Sequence, residues 1–62
     1  MDKNYWILCE VTHQGIVFNV QIPGFGVGSP AEVKRASVKF AQQIGATYCK
    51  PLVVIFEQKK EN

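Results

Sequence analysis

The stretch YWILCEVTHQGIVFNVQI, residues 5–22, decides the fold. It contains two segments rich in β-forming residues, 5–11 and 16–22, separated by a short polar interval. The second segment alternates strictly: Val17, Asn19 and Gln21 fall on one face, and four apolar side chains fall on the other, namely Ile16, Phe18, Val20 and Ile22. Two such segments joined by a turn predict a β-hairpin.

The register of this hairpin depends on the length of its turn. If Gln14 and Gly15 form a two-residue turn, Cys9 pairs with Val20 and the apolar faces of the two segments match. A three-residue turn would instead set Leu8 beside Val20, because a slip of one residue exchanges the faces of a strand. The two-residue turn is the preferred prediction, since it brings like faces together.

A helix follows the hairpin. The sequence SPAE predicts its start, with Ser29 as N-cap, Pro30 at the first helical position and Glu32 three residues after the cap. Apolar residues then recur at helical spacing and form one stripe: Val33, Ala36, Phe40, Ala41 and Ile44. Gly45 is a typical C-terminal cap, so we predict a helix over residues 30–44.

The sequence LVVIFEQK after Pro51 predicts a third strand over about residues 52–58, following strands over about 4–12 and 16–22. The order strand, strand, helix, strand predicts the α+β class. We expect a single ββαβ domain spanning residues 1–62, with a three-stranded antiparallel sheet in the order 3-1-2 and one helix packed on one face. Residues 58–62 are expected to fray.

Composition excludes several classes of protein. The 62 residues are 47% hydrophobic and 19% charged, with a net charge of +2, which is too apolar for intrinsic disorder. Apolar runs fall short of the roughly 18 residues of a membrane span, and the N-terminus lacks the features of a signal peptide. We therefore predict a cytoplasmic protein with no membrane contact.

The predicted sheet carries more apolar residues than one helix can cover. The face opposite the helix should be largely polar, yet it holds five apolar side chains: Trp6, Leu8, Val17, Val53 and Ile55. The segment PGFGVG, 23–28, is expected to be a pliable loop whose Phe25 and Val27 either fold over the sheet or contact a partner. We expect a protein partner or a second copy to bind the open face or an edge strand.

Glycine at positions 24, 26 and 28 just before a helix is typical of phosphate-binding loops. The segment lacks the lysine of such loops, Pro30 removes a backbone donor, and Glu32 brings negative charge to the place of the phosphate. We therefore predict no phosphate site and no cofactor.

The sequence also lacks a pattern typical of a metal site or an enzyme. Cys9 and Cys49 are forty residues apart and are expected to be inert thiols in or beside strands. His13 is the only histidine and is expected to be solvated in the turn. No catalytic or metal-ligating residue is predicted, because neither a nucleophile with its base nor four metal ligands can be assembled.

Nucleic-acid binding is the alternative function. Lys34, Arg35 and Lys39 on the helix could contact phosphates, and Tyr5 or Trp6 could stack on bases. A solvated helix face explains the same charges, so a protein-binding role is preferred. A homodimer that buries the open face is a third alternative.

The motifs, in order, resemble a known family. The YW start at 5–6, the strand FNVQI at 18–22, a capped helix and a final strand resemble the T7-type phage inhibitors of bacterial RNA polymerase, which are ββαβ proteins. They are similar, more loosely, to small phage anti-CRISPR proteins. The resemblance implies a phage or prophage host-takeover protein that binds and blocks a host macromolecular machine. The polymerase inhibitors use arginines on the last strand, and LVVIFEQK has none, so no contact residue is transferred.

Overall fold

The computed structural model describes residues 2–57. It contains β1 (Lys3–His13), β2 (Ile16–Gly26), α1 (Pro30–Ile44) and β3 (Tyr48–Phe56). β1 is the central strand, and β2 and β3 both pair with it in antiparallel orientation. α1 packs on one face of this sheet. The predicted α+β class, the ββαβ arrangement and the sheet order are confirmed. The predicted frayed tail lies outside the described residues.

The turn between β1 and β2 has two residues. Gln14 (φ 52°) and Gly15 (φ 78°) both adopt positive φ, as a type I′ turn requires. Cys9 therefore pairs with Val20, and Ile7 pairs with Ile22. The preferred register is confirmed, and the three-residue turn is excluded.

The core lies between the sheet and α1. Alternate residues of β1 point toward the helix, and the buried apolar side chains are Tyr5, Ile7, Cys9, Val11, Ile22 and Val33. Fully burying one such side chain contributes about 1.5–3 kcal/mol. Because this core is small, each of its members accounts for a large share of the stability of the fold.

The helix begins and ends at the predicted residues. The Ser29 hydroxyl accepts a hydrogen bond from the Glu32 backbone N–H at 3.3 Å, and Gly45 ends the helix in the left-handed region with φ 71°. Ser37 interrupts the apolar stripe and is buried, but its hydroxyl donates to the Val33 carbonyl at 2.9 Å. The helix therefore tolerates a polar residue in the core.

β2 is longer than predicted. Residues 23–26 continue the strand and pair with β1, so the expected loop is wrong over this part. In a two-residue hairpin His13 and Ile16 exchange hydrogen bonds, and alternate residues of β2 from Val17 onward direct their backbone groups away from β1. Pro23 belongs to this outward set. Its missing N–H therefore removes no hydrogen bond from the sheet.

β3 begins at Tyr48, four residues before the predicted start, and ends at Phe56. Pro51 was expected to precede the strand, but it lies inside it, opposite Cys9. The register shifts between Leu8 and Cys9, which leaves Leu52 as an extra residue in a bulge. β3 is an edge strand, and a proline and a bulge are both tolerated there.

Gly24 generates a test of the hairpin register. The ring of Tyr5 lies directly over Gly24, and a Cβ at residue 24 would collide with it. We expect Gly24→Ala to lower the free energy of unfolding by about 1–3 kcal/mol, the usual cost of overpacking. Urea denaturation followed by circular dichroism measures this loss.

The control for this test removes the ring. In a Tyr5→Leu background the same Gly24→Ala change should cost clearly less, because the colliding atoms are gone. An equal cost in both backgrounds would contradict the contact.

Candidate protein-binding site

The register assembles six apolar residues at one end of the open face. Trp6 pairs with Pro23 on one side and with Ile55 on the other, and Leu8 pairs with Val53. Phe25 pairs with Asn4, which lies two residues before Trp6 on β1, and therefore points to the same face as Trp6. We call this group the tryptophan patch; it consists of Trp6, Leu8, Pro23, Phe25, Val53 and Ile55.

The tryptophan patch is open to solvent. The exposed fractions are 40% for Trp6, 45% for Ile55, 47% for Val53 and 64% for Phe25. α1 packs on the opposite face of the sheet and cannot cover these side chains. Contiguous apolar surface of this kind is typical of a protein interaction site.

The structure also separates two residues from the predicted site. Val17 is exposed on the open face, but it pairs with Thr12 near the turn, at the far end from Trp6. Val27 is exposed at the bend after β2, outside the sheet. Neither residue belongs to the tryptophan patch.

Sequence reasoning missed Pro23 and the strand position of Phe25. It expected a loop because proline and glycine interrupt the β pattern after Ile22. The alternation nevertheless continues, since Pro23 and Phe25 share a face with Gln21. An aromatic residue on β1 facing a glycine is the signal that would have revealed the longer strand, and Tyr5 faces Gly24 in this way.

Polar residues border the patch along the sheet. Glu10 lies between Asn19 on β2 and Lys50 on β3, and Gln21 lies beside Leu8. These side chains separate the patch from the apolar residues near the turn. An apolar centre with a polar rim is the usual anatomy of a protein interface.

The glycine-rich segment binds a carboxylate of the same chain. Glu32 Oε2 accepts a hydrogen bond from the Gly28 backbone N–H at 3.0 Å and another from the Tyr5 hydroxyl. Negative charge is stabilised at the N-terminus of a helix, where a phosphate loop holds its ligand. Glu32 therefore occupies the place that a bound anion would take.

We call the Glu32 carboxylate, the Tyr5 hydroxyl and the Gly28 N–H the Glu32 cluster. Its hydrogen bonds shift the pKa values of Glu32 and Tyr5. The hydrogen bond from Tyr5, followed by that from the Gly28 N–H, holds the pKa of Glu32 below its usual 4.5. Burial, together with the hydrogen bond to Glu32, raises the pKa of Tyr5 to about 12. At neutral pH the pair is a charged carboxylate and a neutral phenol.

Each glycine of the segment allows a close approach. A Cβ at Gly24 would collide with the Tyr5 ring, one at Gly26 with the Glu32 carboxylate, and one at Gly28 would lie 2.7 Å from the Phe56 ring. Close packing therefore explains all three glycines without a bound phosphate.

The residues of the nucleic-acid alternative do not form one surface. Tyr5 is 2% exposed and lies beneath the helix, so its ring cannot stack on a base. Lys34, Arg35 and Lys39 lie on the exposed side of α1, whereas Trp6 lies on the other face of the sheet. The structure therefore buries Tyr5 and places the three basic residues and Trp6 on opposite sides of the sheet, and nucleic-acid binding stays a prediction.

The two thiols lie near each other beneath α1. Cys9 is buried, with its Sγ 3.8 Å from the Ser37 Oγ. Cys49 lines a groove of about 640 Å³ between α1 and the first half of β3. Burial, with a smaller contribution from Cys9, raises the pKa of the Cys49 thiol to about 11. A protonated thiol is a poor nucleophile, which supports the interpretation of Cys49 as inert.

His13 differs from its predicted environment. It is the last residue of β1 and half-buried, and its Nδ1 atom is buried without a hydrogen-bond partner. Among residues 2–57, no three histidine, cysteine or acidic side chains are grouped so that they could hold a metal ion.

Comparison with family models, curated proteins and solved structures yields no match for this chain. Within residues 2–57, no helix has the length and apolar character needed to cross a membrane. The function is therefore inferred from the geometry of the surface.

The Glu32 cluster predicts sensitivity to acid. A carboxyl group whose pKa is lower in the folded state stabilises the fold above its unfolded pKa, and this contribution is lost as the pH falls through the folded value. We expect the free energy of unfolding of the wild type to fall more steeply below pH 4.5 than that of Glu32→Gln. Urea denaturation at a series of pH values measures both slopes.

The control for acid sensitivity is Glu57→Gln, which removes an exposed carboxylate outside this cluster. Equal acid slopes for the wild type and Glu32→Gln would show that the cluster does not stabilise the fold.

Tyr5 predicts a loss of stability at alkaline pH. Its folded pKa of about 12 exceeds the ordinary 10.0, so its contribution is complete below pH 10 and is lost as the pH rises to about 12. In a Tyr48→Phe background Tyr5 is the only tyrosine. We expect tyrosinate absorbance to develop near pH 12 in the folded protein. Development near pH 10 would contradict the buried hydrogen bond.

Proposed function

We propose that this chain is a small, non-enzymatic protein-binding module and that the tryptophan patch binds its partner. The observation that carries the proposal is that three strands bring six apolar residues together on a face that α1 does not cover. Tryptophan is enriched among the residues that dominate binding energy at interfaces. Trp6, on the central strand, is the proposed anchor.

The rigidity of the patch supports this proposal. Trp6 and Leu8 lie on the central strand, which is hydrogen-bonded on both sides, and their pairing residues come from β2 and β3. A backbone that is already ordered before binding loses little conformational entropy when it binds. The patch therefore offers a preorganised surface rather than a flexible loop.

The patch supports a protein partner better than nucleic acid. Single-stranded nucleic acid is bound where basic and aromatic side chains share a groove. Lys34, Arg35 and Lys39 lie on α1, whereas the patch lies on the other face of the sheet. An apolar surface of a folded protein is the chemistry that complements Trp6, Phe25 and Ile55.

We infer that the partner belongs to a bacterial host machine and that this chain is a phage or prophage inhibitor. The support is the resemblance of the YW start, the FNVQI strand, the capped helix and the last strand to T7-type inhibitors. The proposed location is the cytoplasm, which keeps thiols such as Cys9 and Cys49 reduced.

The experiment that tests the patch compares variants for capture of one partner. The tagged chain is incubated with a bacterial lysate, and bound proteins are identified by mass spectrometry. The affinity of the captured partner is then measured with purified components. We expect Trp6→Ser to weaken its binding about 30-fold or more, because truncating an anchor residue costs roughly 2 kcal/mol or more.

Val17→Ser is the matched control, since Val17 is exposed on the same face but lies far from Trp6. It should retain the affinity of the wild type. Circular dichroism must show that Trp6→Ser remains folded. A folded Trp6→Ser variant with unchanged affinity would refute the patch as the binding site, and strongly salt-dependent capture of DNA or RNA would favour the nucleic-acid alternative.

A further inference from the structure

The outer edge of β2 offers a row of unpaired backbone groups. β2 lies at the side of the sheet, with β1 as its only neighbour among the described strands. The hairpin register directs the N–H and C=O groups of Val17, Asn19 and Gln21 away from β1. An edge of this kind can accept another strand.

The two edges of the sheet differ in how they are protected. Proteins block pairing at edge strands with prolines, bulges and charged residues. On β3, Pro51 and the bulge at Leu52 interrupt the edge. On β2, Pro23 interrupts only the second half, and the strand contains no charged residue. Residues 16–22 therefore form an unprotected edge.

Apolar side chains are exposed on both faces of this edge. Ile16 is 64% exposed on the face that carries α1, because the helix covers Ile22 but does not reach the turn. Val17 is 58% exposed on the open face, and Phe18, beside Ile16, is also exposed. A strand with apolar residues on two faces and free backbone groups is suited to pairing with a similar strand.

We propose that residues 16–22 pair with the same residues of a second copy of this chain, in antiparallel orientation. The free segment is bounded by the turn at Gly15 and by Pro23, and Asn19 is its central residue. A two-fold axis through Asn19 uses the whole segment and sets each Asn19 opposite its counterpart. Self-complementary pairing about such an axis forms a closed dimer.

The side chains fit this register. Phe18 lies beside Val20 of the second copy, and Ile16 lies beside Ile22 of the second copy. Ile22 borders a cleft of about 350 Å³ between β2 and α1 that Ala36 and Phe40 also line. The exposed Ile16 side chain therefore gains an apolar neighbour that its own helix does not supply.

The dimer has a six-stranded sheet. Because the two-fold axis is perpendicular to the sheet, both helices lie on one side and both tryptophan patches lie on the other. The pairing uses the edge of β2 and leaves Trp6 free. The dimer is therefore independent of the proposed function, and either proposal can fail without the other.

Light scattering during gel filtration of the full chain tests the dimer. We expect the wild type to show twice the monomer mass at high concentration. Asn19→Pro should be monomeric and folded, because the backbone N–H of Asn19 points outward and is not used by β1. Asn19→Lys should also be monomeric, since it sets two like charges opposite each other across the axis.

A mixture tests the register. Equal amounts of Asn19→Lys and Asn19→Glu should form a heterodimer, because opposite charges then face each other. Trp6→Ser should stay dimeric, which distinguishes edge pairing from association through the open face. A monomeric wild type, a dimeric and folded Asn19→Lys variant, or a mixture that remains monomeric would overturn the proposal.

Discussion

The type I′ turn at Gln14 and Gly15 is the constraint on which the other features depend. Both residues have positive φ, and this conformation matches the twist of a two-residue hairpin. The turn sets Cys9 opposite Val20. A slip of one residue would move Trp6 and its neighbours under the helix and expose the present core. The turn therefore decides which side chains of the hairpin lie in the core and which lie on the open face.

The Glu32 cluster ties the helix to the hairpin. One carboxylate joins the Tyr5 hydroxyl of β1, the Gly28 N–H of the connection and the N-terminus of α1. A charge-assisted hydrogen bond is about twice as strong as one between neutral groups, and this one orients the helix over the sheet. The glycines typical of a phosphate loop are present because a carboxylate has similar requirements for backbone donors.

The placement of α1 on one face accounts for the proposed function and for the proposed dimer. The helix buries the apolar side of β1 but leaves the other side of the sheet and the region near the turn uncovered. Trp6 is exposed because it lies on the uncovered side of the sheet, and Ile16 is exposed because it lies near the turn, which the helix does not reach. For a domain with a small core, covering such surfaces by a partner or a second copy adds apolar burial that the single chain cannot achieve.

Local patterns in the sequence determined the hairpin and the helix from Pro30 to Ile44, because alternation and capping act between residues close in the chain. Only the tertiary structure decided that Pro23 and Pro51 lie within strands. A proline is acceptable there when its missing N–H points away from the neighbouring strand, and that depends on the pairing of distant residues. Strand pairing placed Phe25 near Trp6 and Val17 far from it. The packing of α1 on the sheet buried Tyr5 against Glu32. The types of residue that form the site were therefore readable from the sequence, but their grouping was not, because it is set by contacts between residues far apart in the chain.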